Sequence, residues 1–401
     1  MKNIERERYL SCIRPYVGNR NAKVLAGIRR SGKSTLLEMV PDGLGDDNIM
    51  FIDMELWDNR EYKDPEKLYR MIKGSLVNGK KNRLFIDEVQ DVKEWESVIR
   101  SLIAEKCCDI YLSGSNSHLL SSEFSTYLSG RLNIIDVFTL TFSECIAFAQ
   151  RYTDTQDTEE IFGKFLRFGG FPSVWRSEYK SSEAYKEVSD IVNTIMMRDI
   201  ISRYTVKNPD VLYRVLRYIC DNVGKVTSVN NIYETLHSDD RHIGKDMVYS
   251  YVSYLESAYL ICKVPTFDIK GKKNLMSNYK YYVGDIGIKN ALLGFRSDDI
   301  TGLMENIVYL ELRSRGYSVW VGSNGGREVD LVGEKNGRYV YVQTVSELSS
   351  DKVVSREFGN LKGIDDNYPK YVVTLNDGLL NTDIDGVICC KMSDFLLRTD
   401  Y

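Results

Sequence analysis

The 401-residue chain is short of several residue types and patterns, and each shortage removes a class of function. It has only three histidines, His118, His237 and His242, too few for a histidine-rich metal site. Its eight cysteines include two adjacent pairs, Cys107-Cys108 and Cys389-Cys390, but no C-x-x-C. Paired-spacing zinc and dithiol redox motifs are thereby excluded, and the thiols read as reduced, mostly buried small hydrophobes. No apolar run approaches the roughly 18 residues of a membrane-spanning helix. The first residues, Met1 to Arg8, are charged and lack the apolar core of a signal peptide, so a cytoplasmic location is expected. The net charge is only -4, without the basic excess of many tight nucleic-acid binders. Any contact with a phosphate backbone must therefore come from a local patch. Prolines number seven, no low-complexity linker stands out, and no 20–50-residue repeat argues for a solenoid or propeller.

What is present is the balance of a globular protein, with 43% hydrophobic and 27% charged residues. The length suits two or three domains at roughly 100–200 residues each. From Ala22 to Val137 short apolar runs alternate with amphipathic stretches. Lys23–Gly27, Ile49–Asp53, Arg83–Asp87, Asp109–Ser113 and Asn133–Phe138 read as strands with helices between them, which predicts a parallel sheet covered on both faces. From Phe142 to about Tyr204 the pattern is helical, broken by the turn signal Gly169-Gly170-Phe171-Pro172. Asp210–Asn222, Val229–Leu236 and Lys245–Ser257 then read as helices, and Tyr259–Val264 and Tyr279–Val283 as strands, the order of a winged helix. Leu303–Arg315 reads as an amphipathic helix. Ser318–Val321, Glu328–Val332 and Tyr339–Gln343 read as the strands of a small α/β module. The expected division is an α/β core at 1–141, a helical extension at 142–207, a winged-helix-like region at 208–295 and the small module at 296–401.

The segment Gly27-Ile28-Arg29-Arg30-Ser31-Gly32-Lys33-Ser34 fits G-x-x-x-x-G-K-[ST] between an apolar strand and a helix expected at Thr35–Val40. Glycines at 27 and 32 let the backbone curl so that N–H groups and the positive end of the helix cradle a phosphate. Gly27, Arg30, Ser31, Gly32, Lys33, Ser34 and Thr35 are the candidate nucleotide contacts. Lys33 supplies a point charge to the β- and γ-phosphates of ATP, and the Ser34 hydroxyl reaches Mg2+. Whether Arg29 and Arg30 touch phosphate or pair with local acids is left open by the sequence.

Leu84-Phe85-Ile86-Asp87-Glu88 is an apolar strand ending in two acids, at the sheet edge where ligands of open α/β sheets sit. Asp87 is placed to hold magnesium and Glu88 to polarise the attacking water as a general base. The acid pair, without an Arg-rich lid, favours hydrolysis over transfer to a small metabolite. Ser115 and Asn116, after the next strand, are candidates for the γ-phosphate or the lytic water, or for capping the next helix. Arg131, before the fifth strand, is a candidate for stabilising phosphoryl charge in its own subunit or a neighbour's, or a structural arginine.

These segments, with Leu128-Ser129-Gly130-Arg131, Phe142-Ser143-Glu144, Val264–Lys273 and Glu305–Leu312, resemble prokaryotic AAA+-type ATPases with a C-terminal domain of uncharacterised function. The resemblance covers nearly the whole chain. It implies a P-loop ATPase core, a winged-helix region and a restriction-endonuclease-like module. A nuclease of that fold needs an acid on one strand, then an acid and a lysine on the next. Glu328 and Asp330 supply the first, with Glu305 and Glu311 on the preceding helix. Gln343 and Val345 stand where the second acid and the lysine belong, so the module reads as a degenerate scaffold. In the middle region Lys270, Lys272, Lys273 and Lys280 flank Tyr279, Tyr281 and Tyr282, a combination suited to phosphate contact and base stacking. DNA contact through residues 245–282 is one expectation, weakened by Asp246 and Glu256. Homo-oligomerisation and a protein client stay open. Three functions compete: an ATPase that drives conformational change in the attached domains, a slow nucleotide-gated switch that recruits a protein partner, and a DNA-processing enzyme.

Overall fold

The computed structural model describes residues 4–43, 45, 47–117, 130–153, 155–177, 180–376 and 382–401. His118 and the Leu128-Ser129 part of the segment before Arg131 lie outside the described residues. The chain forms two compact units, residues 1–138 with 257–259, and residues 139–256 with 260–401.

The first unit is built on five strands, β1 (Ala22–Ala26), β2 (Asn48–Asp53), β3 (Asn82–Asp87), β4 (Asp109–Gly114) and β5 (Leu132–Asp136). They pair in parallel in the order β2-β3-β4-β1-β5. Each was legible as an apolar run; the central β1, β3 and β4 are covered on both faces and so apolar throughout, whereas the edge strands β2 and β5 leave Ile49, Phe51 and Ile134 exposed. One face packs Val24, Met50, Leu84, Ile86 and Leu112 against helices α3 (Pro65–Gly74) and α4 (Trp95–Glu105). The other packs Leu25, Phe85 and Tyr111 against α1 (Glu7–Ile13) and α2 (Lys33–Met39). Helix α2 starts two residues earlier than its apolar pattern suggests. Gly32, at φ +95°, makes the left-handed turn that starts it and brings Lys33 into the first helical turn.

The second unit begins with helices at Phe142–Tyr152, Thr158–Phe168 and Ser181–Ile195. The first opens with a capping box between Thr141 and Glu144. Helices at Pro209–Asp221, Val229–Asp239 and Lys245–Ser257 follow, with Asn208 and Ser228 capping the first two. Strands β7 (Ile261–Asp268) and β8 (Lys273–Val283) form the expected hairpin, and the short β6 (Val226–Thr227) adds to β8. The hairpin does not stand alone. β7 pairs in parallel with β9 (Ser318–Asn324), which continues into β10 (Arg327–Lys335), β11 (Arg338–Val345), β12 (Lys370–Thr374), β14 (Val387–Lys391) and β13 (Asp383–Ile384). One mostly antiparallel nine-stranded sheet therefore runs across residue 295. Its core includes Phe267, Val329, Val332, Tyr341, Phe358 and Val372. Among the described residues no helix is long and apolar enough to cross a membrane.

Candidate active site

The parallel sheet assembles its site from the carboxyl ends of three neighbouring strands and the loop after a fourth. Register alone aligns Asp53 at the end of β2 with Asp87 at the end of β3. The loop after β1 is held on both sides. A Cβ on Gly27 would lie 2.0 Å from the carbonyl oxygen of Val137, so only glycine fits where the loop leaves the sheet. From the amino-terminal segment, buried Arg6 donates to the Ser31 carbonyl oxygen at 2.8 Å. That support, from a residue 25 positions upstream, had no signal in the sequence.

Lys33 is buried and its Nζ donates to the carbonyl oxygens of Gly27 and Ile28, each at 3.0 Å. The ammonium is thus folded over its own loop. The Ser34 hydroxyl hydrogen-bonds the Asp87 carboxylate, and so does Ser113 from β4. Burial pushes the Asp87 carboxyl above its usual range; the two hydroxyls pull it down, while the charges of Glu88 and Asp53 push it further up. A hydroxyl and a buried carboxylate in contact, in a neighbourhood with excess negative charge, are the donor set a hard divalent cation takes. These residues fit Mg2+ with nucleotide phosphates and water as the remaining ligands.

Glu88 is also buried, in a left-handed backbone conformation at φ +52°. Its backbone N–H donates to Ser113 Oγ at 3.2 Å. Its carboxylate Oε2 accepts from Ser115 Oγ at 3.1 Å and from Gln90 Nε2, and lies 3.9 Å from the guanidinium of Arg29. Burial raises this carboxyl, but the charges of Lys33 and Arg29 together with the hydrogen bonds from Gln90 and Ser115 hold Glu88 below its usual value. The site therefore offers an ionised carboxylate at neutral pH beside the buried Asp87.

The structure brings Gly27, Ser31, Gly32, Lys33, Ser34, Asp87, Glu88 and Ser115 into one region. Asn116, buried after β4, adjoins it. Thr35 follows in the first turn of α2. Arg30 is exposed at φ +68°, so it faces outward while Arg29 faces in. Arg131 is not brought in. Its carbonyl accepts from Ala22 N–H at the start of β1. The parallel strands then run about 15 Å before reaching the loop. Arg131 is exposed at the opposite edge of the sheet, away from its own chain's loop. Sequence reasoning missed Arg6, Gln90, Asp53, Glu55 and Ser113 as supports; only strand register and loop packing place them.

The C-terminal acids take a different form from that expected. Lys280, counted above as a surface cation, is 1% exposed, and Tyr281 and Tyr282 are fully buried, so none of the three can contact nucleic acid. The Lys280 ammonium lies 2.8 Å from Glu305 and 2.7 Å from Glu328. Tyr282 also donates to Glu305. Asp330 accepts from Gln343 Nε2 at 2.9 Å, and from the N–H and hydroxyl of Thr344 at 2.8 and 2.9 Å. Glu311 instead pairs with Arg315 at 2.6 Å. Asp330 is thus held by Gln343 and Thr344, while Glu305 and Glu328 each give one oxygen to a lysine from an unexpected strand. Among the described residues no group of three or more His, Cys, Asp or Glu side chains could hold a metal ion. The residues do not fit a metal-dependent nuclease centre.

Comparison with known proteins bears on the first unit most directly. Residues 19–146 match the model of an AAA domain, and residues 159–299 match a domain of unknown function, DUF8612. An uncharacterised protein of Haemophilus influenzae is 32% identical over 98% of this chain and 99% of its own length. An uncharacterised protein of Methanocaldococcus jannaschii is 30% identical over 88% of this chain and 82% of its own. Among solved structures, a Walker-type ATPase of Pyrococcus abyssi superposes with a TM-score of 0.54 at 15% identity, over 72% of this chain and 96% of that one. The last comparison speaks to the fold.

Proposed function

The chain belongs to one family with these Haemophilus influenzae and Methanocaldococcus jannaschii relatives and carries an AAA domain, and from that premise we propose that it hydrolyses ATP with magnesium. The reading includes a conformational change in the second unit, driven or timed by turnover. The observation that carries it is the joining of Ser34 to Asp87, with ionised Glu88 alongside. A purely structural P-loop would not require a buried, hydrogen-bonded base at that strand end.

Each residue then has a task. The loop N–H groups and Lys33 bind and orient the phosphates; on binding, Lys33 exchanges the carbonyls of Gly27 and Ile28 for phosphate oxygens. Ser34 and Asp87 would hold magnesium, which when bound neutralises charge on the phosphate oxygens. Glu88 accepts the proton of a water whose oxygen bonds to the γ-phosphorus. The bond from that phosphorus to the bridging oxygen breaks, and its electron pair leaves with ADP.

Steady-state hydrolysis by wild type, Lys33→Ala and Glu88→Gln, each with and without duplex DNA at low salt, tests this. Lys33→Ala is expected to lose turnover. Glu88→Gln is expected to keep ATP binding but turn over about 100-fold or more slowly, the size of a general-base contribution. Wild-type turnover in Glu88→Gln would remove the base assignment. Stimulation by DNA would support nucleic-acid coupling through exposed Lys270, Lys272 and Lys273.

A further inference from the structure

Arg29 is the third residue of the phosphate-binding loop, and its buried guanidinium is shared between acids from two strand ends. Nη1 donates to Glu55 Oε1 at 2.9 Å, two residues past β2. Nη2 lies 3.9 Å from Glu88 Oε2, just past β3. That same Oε2 accepts from Ser115 and from Gln90. Three neighbours from three segments therefore converge on one oxygen of the proposed base.

A general base works only if a lone pair is aimed at the proton it takes. Fixing one carboxylate oxygen fixes the plane of the group, and with it the direction of the other. We propose that Arg29 is a positioning residue for hydrolysis. It steadies Glu88 through Oε2, with Glu55 as the counter-ion that holds the guanidinium in place, so that Oε1 receives the water's proton. This rests on the reading of Glu88 as the base. The residue type matters, because a planar guanidinium holds its donors in a rigid fork that spans Glu55 and Glu88, whereas an ammonium is a point charge on a flexible stem and fixes no direction. Lys33, the other buried cation nearby, is committed to the loop carbonyls.

The test is kcat and KM for ATP, with the Kd of a fluorescent ADP analogue as a check on the folded site, in Arg29→Ala, Arg29→Lys, Glu55→Gln and the Arg29→Ala/Glu55→Gln double variant. Arg29→Ala is expected to lower kcat about 10–100-fold, the scale of a misplaced catalytic group, with KM and ADP affinity within about threefold of wild type. Arg29→Lys should recover part of kcat. Glu55→Gln, at a position whose side chain is 40% exposed, should also lower kcat. The double variant should be no slower than Arg29→Ala, because Glu55 acts through the arginine. An unchanged kcat in Arg29→Ala, a loss confined to KM, or additive losses in the double variant would each overturn the proposal. Glu88→Gln separates the two levels. If it turns over at the wild-type rate, the reading of the base fails; if it is slow while Arg29→Ala is fast, only this inference fails.

Discussion

Gly27 has no room for one more carbon. Its Cβ position lies 2.0 Å from the Val137 carbonyl oxygen, and backbone cannot move aside as a flexible side chain can. Gly27→Ala is expected to destabilise the first unit by about 1–3 kcal/mol, as overpacking typically does, and to weaken ADP binding. Thermal melts with and without ADP check this; unchanged melting and unchanged ADP stabilisation would contradict it. At this scale the loop was legible, since its glycines, Lys33 and Ser34 are set by a local pattern whose chemistry allows few substitutes. Arg29 was legible as a residue but not as a role. Whether it meets phosphate or acid depends on Glu55 and Glu88, and those arrive from other strands.

At the scale of elements, strand order does what sequence separation conceals. Adjacent β2, β3 and β4 bring Asp53, Asp87 and Ser113 side by side at one edge, while the same parallel direction carries Arg131 to the other. In the second sheet, β8 read as a solvated hairpin arm because lysines flank its tyrosines. Its residues 280–283 are buried, and Lys280 supplies the charge that Glu305 and Glu328 need. Asp285 makes a comparable tie. It caps the helix Ile286–Leu293 through the Gly287 N–H and accepts from Thr139 Oγ1 and the Gly170 N–H, giving Gly169-Gly170 their function as a close-packed turn. Burial pushes the Asp285 carboxyl up to about 6, against a partial offset from those three donors. A folded value above the unfolded one means that the proton is bound more tightly in the native state. This stabilisation is fully present below about pH 4 and is lost as pH rises through about 6. Asp285→Asn is expected to lower stability by about 1–3 kcal/mol, because its amide N–H faces a donor. It should also lose less further stability than wild type between pH 4.5 and 7. Urea unfolding across that range checks it, and an equal pH dependence in both proteins would refute the assignment.

For the whole molecule, the question is whether the second unit responds to nucleotide held by the first. Glu88→Gln with ATP and magnesium should change the rate at which a protease cuts within residues 139–401, and Lys33→Ala should abolish that change. Identical digestion with and without ATP would remove the coupling from the proposed function and leave an ATPase alone. The sequence by itself determined the parallel core, its phosphate loop and the acid pair at Asp87-Glu88, because each depends on contiguous residues: apolar runs for strands, glycine and lysine for the loop, acids at a strand end. Only the tertiary structure decided which cation serves which acid. It joined Arg29 to Glu55 and Glu88, moved Lys280 from the surface into a carboxylate cluster, and separated Arg131 from the loop. The reason is physical: charge pairing acts over a few ångströms in space, and chain proximity is recorded in sequence only where the backbone itself supplies the contact.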